Sequence, residues 1–437
     1  MYRKISETLQ RWRQDPCRKP LLVQGARQVG KTFSVLEFGK QAYENVAYFN
    51  FRTNPQLAKA FEGDLHPSCL LPVLSHLSRE TITRGGTLIV FDEIQLCERA
   101  LTSMEAFCEE APQVHVIGVG SLPGLAVNGR QNVFPEEKVD RCTMTPMDME
   151  EFLMAVGEEE LVRRIRSCFE ENRPMPAALH EAALRRYRQV LVIGGMPKAV
   201  ARFVETQDDL QVRHVQETIQ MDLLADMSKT RESTNEGKKT RLTYSTIAAQ
   251  LSKHNKRFQY SVMKRGATAA QYENAVKWLV AAHLMHQVHR VRQIRKPLDN
   301  EADPDDFKVY HADVGLLCAQ KNVRPNEIFY VKKELEEFKK GLAENFVFCQ
   351  LRTAGFKAFT WRNDKGTKEV DFIITLGDRL TPVEVRSSEN TVSGSLRETL
   401  KQFGTDTGIC FSEKNFGMEN GIRFIPLYAA FCLKADG

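Results

Sequence analysis

The sequence has no apolar run of about 18 residues, the length that a transmembrane helix needs. Its N-terminus, MYRKISETLQRWRQ, is polar and amphipathic and contains no apolar signal core. The ten cysteines are scattered and none forms a CxxC pair, so they indicate neither a zinc site nor a disulfide framework. Internal repeats and low-complexity tracts are also missing. We therefore expect a cytoplasmic protein with no membrane partner.

The composition is that of a globular protein: 42% of the 437 residues are apolar and 27% are charged. This length is enough for roughly three domains, each with its own core. Residues 1–150 alternate short apolar runs with helical patterns. A rhythm of this kind predicts βαβ units and a parallel sheet, so we expect an α/β fold. The strands are predicted at LLVQG (21–25), NVAYFNF (45–51), TLIVFDE (87–93) and VHVIGVGS (114–121).

A phosphate-binding loop follows the first of these strands. Residues 25–32 read GARQVGKT, which fits the pattern G-x-x-x-x-G-K-[ST] completely and precedes a helical pattern. Backbone N–H groups of such a loop converge on phosphates, and the helix N-terminus adds a positive dipole end. Lys31 is expected on the β- and γ-phosphates of ATP, with the Thr32 hydroxyl on Mg²⁺. The expected nucleotide-binding residues are Gly25, Ala26, Arg27, Gln28, Val29, Gly30, Lys31, Thr32, Phe33 and Asp92.

An acidic pair ends the third predicted strand. Leu88 to Phe91 are fully apolar, and Asp92 and Glu93 follow them. A carboxylate at the carboxyl end of a parallel strand is placed to hold Mg²⁺ through water, and a second one beside it can activate the attacking water. We therefore expect Asp92 to act on the metal side and Glu93 to be the hydrolytic base.

The next apolar strand ends at Ser121, which can hydrogen-bond the γ-phosphate or the attacking water. An arginine that neutralises charge in the transition state is also expected. Both Arg130 and Arg141 follow this strand, and the sequence does not distinguish between them. Of the two, we name Arg130 as the catalytic candidate.

Positive charge is concentrated in one segment. Residues 241–296 contain eleven Lys or Arg and one acid, Glu273, whereas the whole chain has a net charge of +5. Two helical patterns, around 244–251 and 268–284, are followed by alternating strand-like residues, which is typical of a winged helix-turn-helix. We expect this segment to neutralise DNA phosphates, with packing against protein as the alternative. The expected DNA-facing residues are Lys253, Lys256, Arg257, Lys264, Arg265, Lys277, Arg290, Arg292, Arg295 and Lys296.

Carboxylates also recur near the C-terminus. Asp371 begins an apolar strand, Glu384 ends the next one, and Glu344 lies on a preceding helix. Asp371 and Glu384 can share a divalent metal, with Glu344 as a further ligand. The spacing resembles the D…E-x-K pattern of metal-dependent nucleases, but Arg386 stands in the lysine position and an arginine cannot act as a base.

Taken together, these motifs resemble the AAA-type ATPases that carry a C-terminal domain of unknown function, DUF4143. The resemblance rests on GARQVGKT, LIVFDEIQ, TPMDMEEFL (145–153), VIGGMPKAV (192–200), HADVGLL (311–317), AENFV (343–347), EVDFII (369–374) and PVEVRS (382–387). It implies an AAA+-like core, a helical lid, a winged helix and a restriction-endonuclease-like terminal fold. That family usually reads E-V-K where this chain has Glu384-Val385-Arg386.

The resemblance and the composition shifts together divide the chain into four parts. We expect an ATPase core at 1–150, a helical lid at 151–235, a basic winged-helix module at 236–325 and a PD-(D/E)xK nuclease-like domain at 326–437. Three functions fit this organisation. The favoured one is an ATP-driven switch or motor that engages DNA, and the others are an ATP-dependent metal nuclease and a regulatory ATPase with a protein partner. A homo-oligomer is compatible with all three.

Overall fold

The computed structural model describes residues 1–121, 137–229, 234–323, 327, 335–363, 365–388, 394–405 and 407–435. Within these ranges the chain forms two compact units. The first unit contains Tyr2–Thr145 and Ala281–His283, and the second contains Met1, Pro146–Val280 and Leu284–Gly437. Among the described helices, none combines the length and apolar character that crossing a bilayer requires.

A five-stranded sheet forms the centre of the first unit, in the order β2-β3-β4-β1-β5. All of its neighbouring strands are parallel, so the predicted parallel α/β core is confirmed. The fifth strand was not predicted, because its residues DRCTM alternate in exposure at the edge of the sheet instead of forming an apolar run. The strands are β1 (Leu21–Gly25), β2 (Asn45–Asn50), β3 (Thr87–Asp92), β4 (His115–Gly120) and β5 (Asp140–Met144).

Helices of the first unit bury apolar residues against one another and against this sheet. Their core includes Leu22, Phe49, Phe91 and Phe107, each 2% exposed or less. The helices are α1 (Ile5–Gln14), α2 (Lys31–Ala42), α3 (Pro67–Ser78) and α4 (Glu98–Glu110), with 3₁₀ turns at Pro55–Phe61 and Ile94–Leu96.

The second unit begins with helices and continues with helices between strands. Its described helices are α5 (Met149–Ala155), α6 (Glu159–Glu170), α7 (Ala177–Ile193), α8 (Pro197–Thr206), α9 (Asp209–Lys229), α10 (Thr234–Ser245), α11 (Ile247–Leu251), α12 (Ala269–Ala281), α13 (Leu298–Glu301), α14 (Val314–Gln320), α15 (Glu336–Thr353) and α16 (Gly394–Phe403). Short 3₁₀ turns lie at Tyr260–Val262 and Leu427–Cys432.

A mixed eight-stranded sheet runs through the second unit in the order β12-β13-β11-β10-β9-β8-β6-β7. Its strands are β6 (Met285–Val291), β7 (Ala302–His311), β8 (Phe359–Arg362), β9 (Glu369–Leu376), β10 (Arg379–Val385), β11 (Gly408–Ser412), β12 (Gly417–Glu419) and β13 (Ile422–Pro426). The β10–β11 and β11–β13 pairs are parallel, whereas β8–β9, β9–β10 and β12–β13 are antiparallel.

The hairpin expected as a wing belongs to this larger sheet. Strands β6 and β7 pair antiparallel, and β6 also pairs with β8 at Arg290 and Thr360. One apolar cluster joins Val291 with Trp361 and Ile373. The hairpin and the C-terminal strands therefore share hydrogen bonds and a core, so the boundary drawn between them at 325 stays a prediction.

Three of the motifs that carry the family resemblance meet at one buried point of the second unit. Asp313 accepts hydrogen bonds from the N–H groups of Gly195 (2.6 Å) and Leu316 (2.8 Å), and Gly195 accepts one from the Met147 N–H at 2.7 Å. A Cβ on Gly195 would lie 2.0 Å from the Met147 carbonyl oxygen, so no larger residue fits there. Burial raises the pKa of Asp313 to about 6. The glycine and the aspartate of these motifs are therefore required by the packing and hydrogen bonds at this point.

Candidate functional site

The predicted phosphate loop connects β1 to α2. Gly25 has a φ of 146°, and a Cβ there would lie 2.1 Å from the Met144 carbonyl oxygen on β5. Gly30 is left-handed, with a φ of 94°, and α2 begins directly after it. Glycine is needed at both points because a positive φ strains residues that have a side chain. At Gly25 the close approach of β5 is a second reason. The loop geometry expected from the sequence is thus present.

Lys31 is the first residue of α2, directly after the loop. Its ammonium group donates hydrogen bonds to the carbonyl oxygens of Gly25 (2.9 Å) and Ala26 (2.7 Å). Burial lowers the pKa of Lys31 to about 8, against the opposing effect of the Glu93 and Asp92 carboxylates. The Lys31 ammonium group can exchange these carbonyl oxygens for phosphate oxygens, which carry full negative charge.

Asp92 is saturated with hydrogen bonds from donors that carry no charge. One carboxylate oxygen accepts from the Thr32 hydroxyl (3.1 Å) and from the backbone N–H of Glu93 (3.0 Å). The other accepts from the Tyr48 hydroxyl (2.6 Å) and the Asn50 amide (2.8 Å). Burial, together with the hydrogen bond to Asp92, raises the pKa of Tyr48 to about 12, so its hydroxyl stays a donor. These four donors orient the Asp92 carboxylate, and none of them is a cation.

Sequence reasoning missed Tyr48 and Asn50. The signal was present, because the two residues alternate along β2 and Asn50 lies opposite Asp92 in the parallel register. Alternate residues of a strand share one face, so a polar pair near the end of β2 predicts contacts at the carboxyl edge of the sheet once β2 is known to neighbour β3.

Glu93 lies beside Asp92 in left-handed backbone, with φ 54° and ψ 40°. The same carboxylate oxygen accepts hydrogen bonds from Arg52 (2.9 Å) and from the Gln95 amide (2.6 Å). The Arg27 guanidinium is 3.8 Å from that oxygen. Left-handed backbone is uncommon for a residue with a side chain and is associated with functional sites. The sequence named Arg27 for the nucleotide site, but it named neither Arg52 nor Gln95.

The other predicted residues of this site are placed as follows. Ser121 is buried directly after β4, the strand between β3 and β1. Val29 is fully buried, whereas the Phe33 side chain is 70% exposed. Arg141 is exposed on β5, opposite Leu22. Arg130 lies outside the described residues.

Several bases of the segment 241–296 are paired with acids and are not free on an exposed face as expected. Lys256 was expected on an exposed face, but it is largely buried and pairs with Glu344. Arg257 and Arg290 pair with Asp306, at 3.4 and 3.6 Å. Most of the acids that balance the segment come from elsewhere in the chain, so counting charge within 241–296 overstated the positive surface. Further ion pairs of its lysines and arginines within the described residues are Lys277–Glu273 (2.5 Å), Arg292–Asp303 (3.7 Å) and Arg295–Glu301 (2.5 Å).

Four of the expected DNA-facing bases have no acidic partner within the described ranges. Lys253 donates to the Gln259 side chain at 2.5 Å, and Lys296 donates to a backbone carbonyl at 2.7 Å. Lys264 and Arg265 are exposed in the turn that precedes α12. The surface available for a polyanion is therefore smaller than the sequence suggested.

The predicted C-terminal carboxylates lie among lysines. Glu344 is 1% exposed and accepts hydrogen bonds from Lys308 (3.0 Å), Lys256 and Tyr310. Burial by itself would raise the pKa of Glu344, but the Lys256 and Lys308 ammonium groups lower it to about 2. The carboxylates of Glu344, Glu369 and Asp371 in turn hold the pKa of Lys308 above its ordinary value, although burial by itself would lower it. Glu344 is therefore ionised and neutralised within the protein.

Asp371 faces the same ammonium group. Lys308 lies 3.8 Å from Asp371 and 2.5 Å from Glu369. Burial and the nearby Glu344 charge raise the pKa of Asp371 to about 7, and its second oxygen accepts a hydrogen bond from the backbone of Val385 at 2.8 Å.

The expected metal site of Asp371, Glu384 and Glu344 is not formed. In the part of the chain that the structure describes, no group of three or more His, Cys, Asp or Glu side chains is arranged to hold a metal ion. Lys308 pairs with Glu344 and Asp371 where a metal cation was expected, and Arg386 pairs with Glu384. The cause is electrostatic, since these carboxylates already have cationic partners.

Models of known protein families match both the N-terminal and the C-terminal part of the chain. Residues 17–153 match an AAA domain, and residues 339–430 match a domain of unknown function, DUF4143. Residues 184–327 match a second domain of unknown function, DUF8612. None of the curated proteins that were compared matches the chain.

Several solved structures are similar at low identity. An ORC2 protein of Aeropyrum pernix with ADPNP and ADP is 11% identical, with a TM-score of 0.34 over 78% of this chain and 93% of that one. The RuvB Holliday junction branch migration motor of Thermotoga maritima is 14% identical, with a TM-score of 0.29 over 65% and 87%. AMPPCP-bound DnaA of Aquifex aeolicus is 11% identical, with a TM-score of 0.29 over 63% and 86%. Similarity at this level says nothing about what this chain binds. Together with the phosphate loop, the family matches show an AAA-type P-loop ATPase domain at residues 17–153 and a DUF4143 domain at residues 339–430.

Proposed function

We propose that the chain is a Mg²⁺-dependent ATP hydrolase that works as a nucleotide-driven switch. The observation that carries the proposal is the state of Asp92: an ionisable side chain beside the phosphate loop, held by four donors of which none is charged. A carboxylate of this kind still attracts a cation, and hard oxygen ligands suit Mg²⁺. Thr32 and Asp92 would hold the ion, which supplies charge neutralisation on the β- and γ-phosphates.

The remaining residues of the site have separate parts in this chemistry. The loop backbone and Lys31 bind and orient the phosphates. Glu93 takes a proton from the attacking water. Ser121 is a further candidate for contact with the γ-phosphate. Arg130 and Arg141 both stay candidates for the arginine that neutralises the transition state.

Glu93→Gln tests the proposal. The amide keeps the shape of the side chain but cannot accept the proton, so we expect turnover to fall by about 100-fold or more while ATP affinity stays within about threefold. Glu62→Gln, at an exposed acid of the same unit, is the matched control and should leave turnover unchanged. Wild-type turnover in Glu93→Gln would contradict the role of Glu93.

Nucleic-acid engagement is a second candidate, and it rests on Lys264 and Arg265. Both are exposed next to α12 and have no acidic partner in the described ranges. A duplex bound by these bases should dissociate as salt is raised, because bound counterions are released on association. If they bind, Lys264→Glu/Arg265→Glu should weaken duplex binding and reduce the salt slope by about 2. The charge-matched control is Lys357→Glu/Lys401→Glu, at exposed lysines.

Duplex binding that is insensitive to salt, or that is equally strong in both double variants, would contradict nucleic-acid engagement through Lys264 and Arg265. A protein partner for the switch would then be favoured. Metal-dependent cleavage is not proposed, because the Lys308 ammonium lies among the carboxylates that would have to hold the ions. Assembly into a homo-oligomer is a separate expectation, tested by measuring the native mass with and without ATP.

A further inference from the structure

Gln95 has a feature that the mechanism above does not use. It lies in the 3₁₀ turn that follows β3 and donates a hydrogen bond through its amide nitrogen to Glu93 at 2.6 Å. Its amide oxygen is buried and accepts no hydrogen bond within the described part of the chain. A buried acceptor without a donor is costly, so this oxygen calls for a partner that arrives with the substrate.

The orientation of the amide follows from chemistry. An ionised carboxylate only accepts hydrogen bonds, so the nitrogen of Gln95 must face Glu93 and the oxygen must point the other way. That oxygen lies against Gly120 at the end of β4, where a Cβ would come within 2.4 Å of it. Glycine at this position therefore makes room for the Gln95 oxygen itself, on the strand next to β1 and its phosphate loop.

We propose that Gln95 is a catalytic residue that holds the attacking water together with Glu93; the proposal rests on the hydrolytic role given to Glu93 above. A water molecule has two O–H bonds. If one points to the Glu93 carboxylate and the other to the Gln95 oxygen, a lone pair is directed away from both acceptors and toward the γ-phosphate.

Atoms and electrons balance in this step. The water oxygen bonds to the γ-phosphorus, and the bond from that phosphorus to the β–γ bridging oxygen breaks, leaving its electron pair on ADP. One water proton passes to Glu93, while Gln95 accepts a hydrogen bond and keeps no proton. The products are ADP and inorganic phosphate.

A positioning role is the competing explanation, because Gln95 also donates a hydrogen bond to the Glu93 carboxylate and can hold it in place. The two explanations differ once Glu93 is replaced. A residue that acts only through the Glu93 carboxylate has no further effect in Glu93→Gln, whereas a residue that binds water itself still has one.

The first experiment measures turnover and ATP affinity of Gln95→Leu. We expect turnover to fall about tenfold or more, with ATP affinity within about threefold of wild type. Gln41→Leu, at an exposed glutamine on α2 that bonds only to Glu37 in the described ranges, is the matched control. Wild-type turnover in Gln95→Leu overturns the proposal.

The second experiment is a binding cycle that needs no turnover. ADP with aluminium fluoride mimics the transferring phosphate with the attacking water in line, so its affinity reports contacts to that water. We expect Glu93→Gln/Gln95→Leu to bind this complex about threefold to tenfold more weakly than Glu93→Gln, with equal affinity for ADP alone. Equal affinity of both variants for the complex overturns the proposal. Wild-type turnover in Glu93→Gln would instead overturn the proposed role of Glu93, so the two failures are distinguishable.

Discussion

Asp92 in the first unit and Glu344 in the second are both buried carboxylates, and the sequence predicts both as metal ligands. Their partners differ. Asp92 accepts hydrogen bonds from a threonine, a tyrosine, an asparagine and a backbone N–H. Glu344 accepts from the ammonium groups of two lysines and from a tyrosine. Uncharged donors orient a carboxylate and leave its charge in place, whereas ammonium groups cancel that charge.

The difference shows that the number of acids in a cluster does not decide whether it can bind a metal ion. What decides is whether a cation of the protein already stands among them. Lys308, within 4 Å of three carboxylates, fills that position in the second unit. At the phosphate site the four donors that hold Asp92 are uncharged, so Asp92 can still bind a cation from solution. Substitutions at either carboxylate cluster can test this contrast.

Lys308→Met is expected to have the largest effect on stability. Removing one partner of a buried ion pair leaves uncompensated charge and typically costs about 3–5 kcal/mol. Denaturant unfolding followed by tryptophan fluorescence, with Trp278 and Trp361 in the second unit, measures the change. Lys401→Met, at an exposed lysine, is the matched control and should cost less than about 0.5 kcal/mol.

A second replacement tests the electrostatic cause. Lys308→Met leaves the carboxylates of Glu344, Glu369 and Asp371 with fewer cations than before, so adding Glu344→Gln brings the charges of the cluster closer to balance and part of the lost stability should return. If Lys308→Met unfolds within about 1 kcal/mol of wild type, the lysine is not the internal counter-ion and the contrast with Asp92 fails.

Asp313 is an intermediate case, because it is buried and, among the described residues, accepts its hydrogen bonds from backbone N–H groups. Asp313→Ala removes the N-cap of α14, worth about 1 kcal/mol, and leaves the N–H groups of Gly195 and Leu316 without their acceptor. We expect a total loss of about 2–4 kcal/mol in the free energy of unfolding. Asp378→Ala, in an exposed turn, should change it by less than about 0.5 kcal/mol. A loss below about 1 kcal/mol would mean that other acceptors replace Asp313.

The phosphate loop and the acidic pair could be located in the sequence because their signals are local. A glycine pattern between an apolar run and a helix, and two acids at the end of another apolar run, need no knowledge of the fold. Arg52 and Gln95 could not be assigned in the same way. Their contacts with Glu93 depend on which strands are neighbours and on the left-handed backbone at Glu93, and neither is visible in residue spacing.

The C-terminal cluster was predicted less well because its decisive residues are remote in sequence. Spacing placed Asp371 and Glu384 on strands that do pair, β9 with β10. Lys308 comes from β7 and Lys256 from the region before α12, and only the folded sheet brings them to Glu344. Charge balance across distant segments is a property of the fold, which is also why the basic segment looked more exposed than it is.

Tyr48→Phe tests the uncharged donors at the phosphate site. Without the hydroxyl, one oxygen of Asp92 keeps only Asn50 as a partner, so the carboxylate loses orientation. A single hydrogen bond of this kind is worth about 1 kcal/mol. We therefore expect the Mg²⁺ concentration that gives half-maximal ATP hydrolysis to rise about threefold to tenfold, with metal-free nucleotide affinity unchanged. Tyr2→Phe, whose hydroxyl bonds to Glu7, is the control; an unchanged Mg²⁺ titration would show that Tyr48 does not orient Asp92.

The smallest expected effect on stability concerns His115. This residue extends the comparison of charged and uncharged partners from buried acids to a buried base, whose partner is the Tyr43 hydroxyl. Its Nδ1 and the Tyr43 hydroxyl are 2.6 Å apart, its ring packs edge-on against Trp12, and burial with the charges of Arg18 and Arg13 lowers the pKa of His115 to about 4. In the unfolded chain the pKa is near 6.5. The folded state therefore favours neutral His115, and its contribution to stability is lost as the pH falls from about 6.5 toward 4.

His115→Gln should remove this dependence on pH. Between about pH 7.5 and pH 5, wild type should lose about 1 kcal/mol more than the variant in the free energy of unfolding, which allows for partial solvent screening. Urea titrations followed by circular dichroism at both pH values measure the difference. His76→Gln, at an exposed histidine of α3, should behave like wild type. A histidine that protonates freely in the folded state would give equal losses in wild type and His115→Gln, and an uncharged partner would then not be enough to keep a buried base neutral.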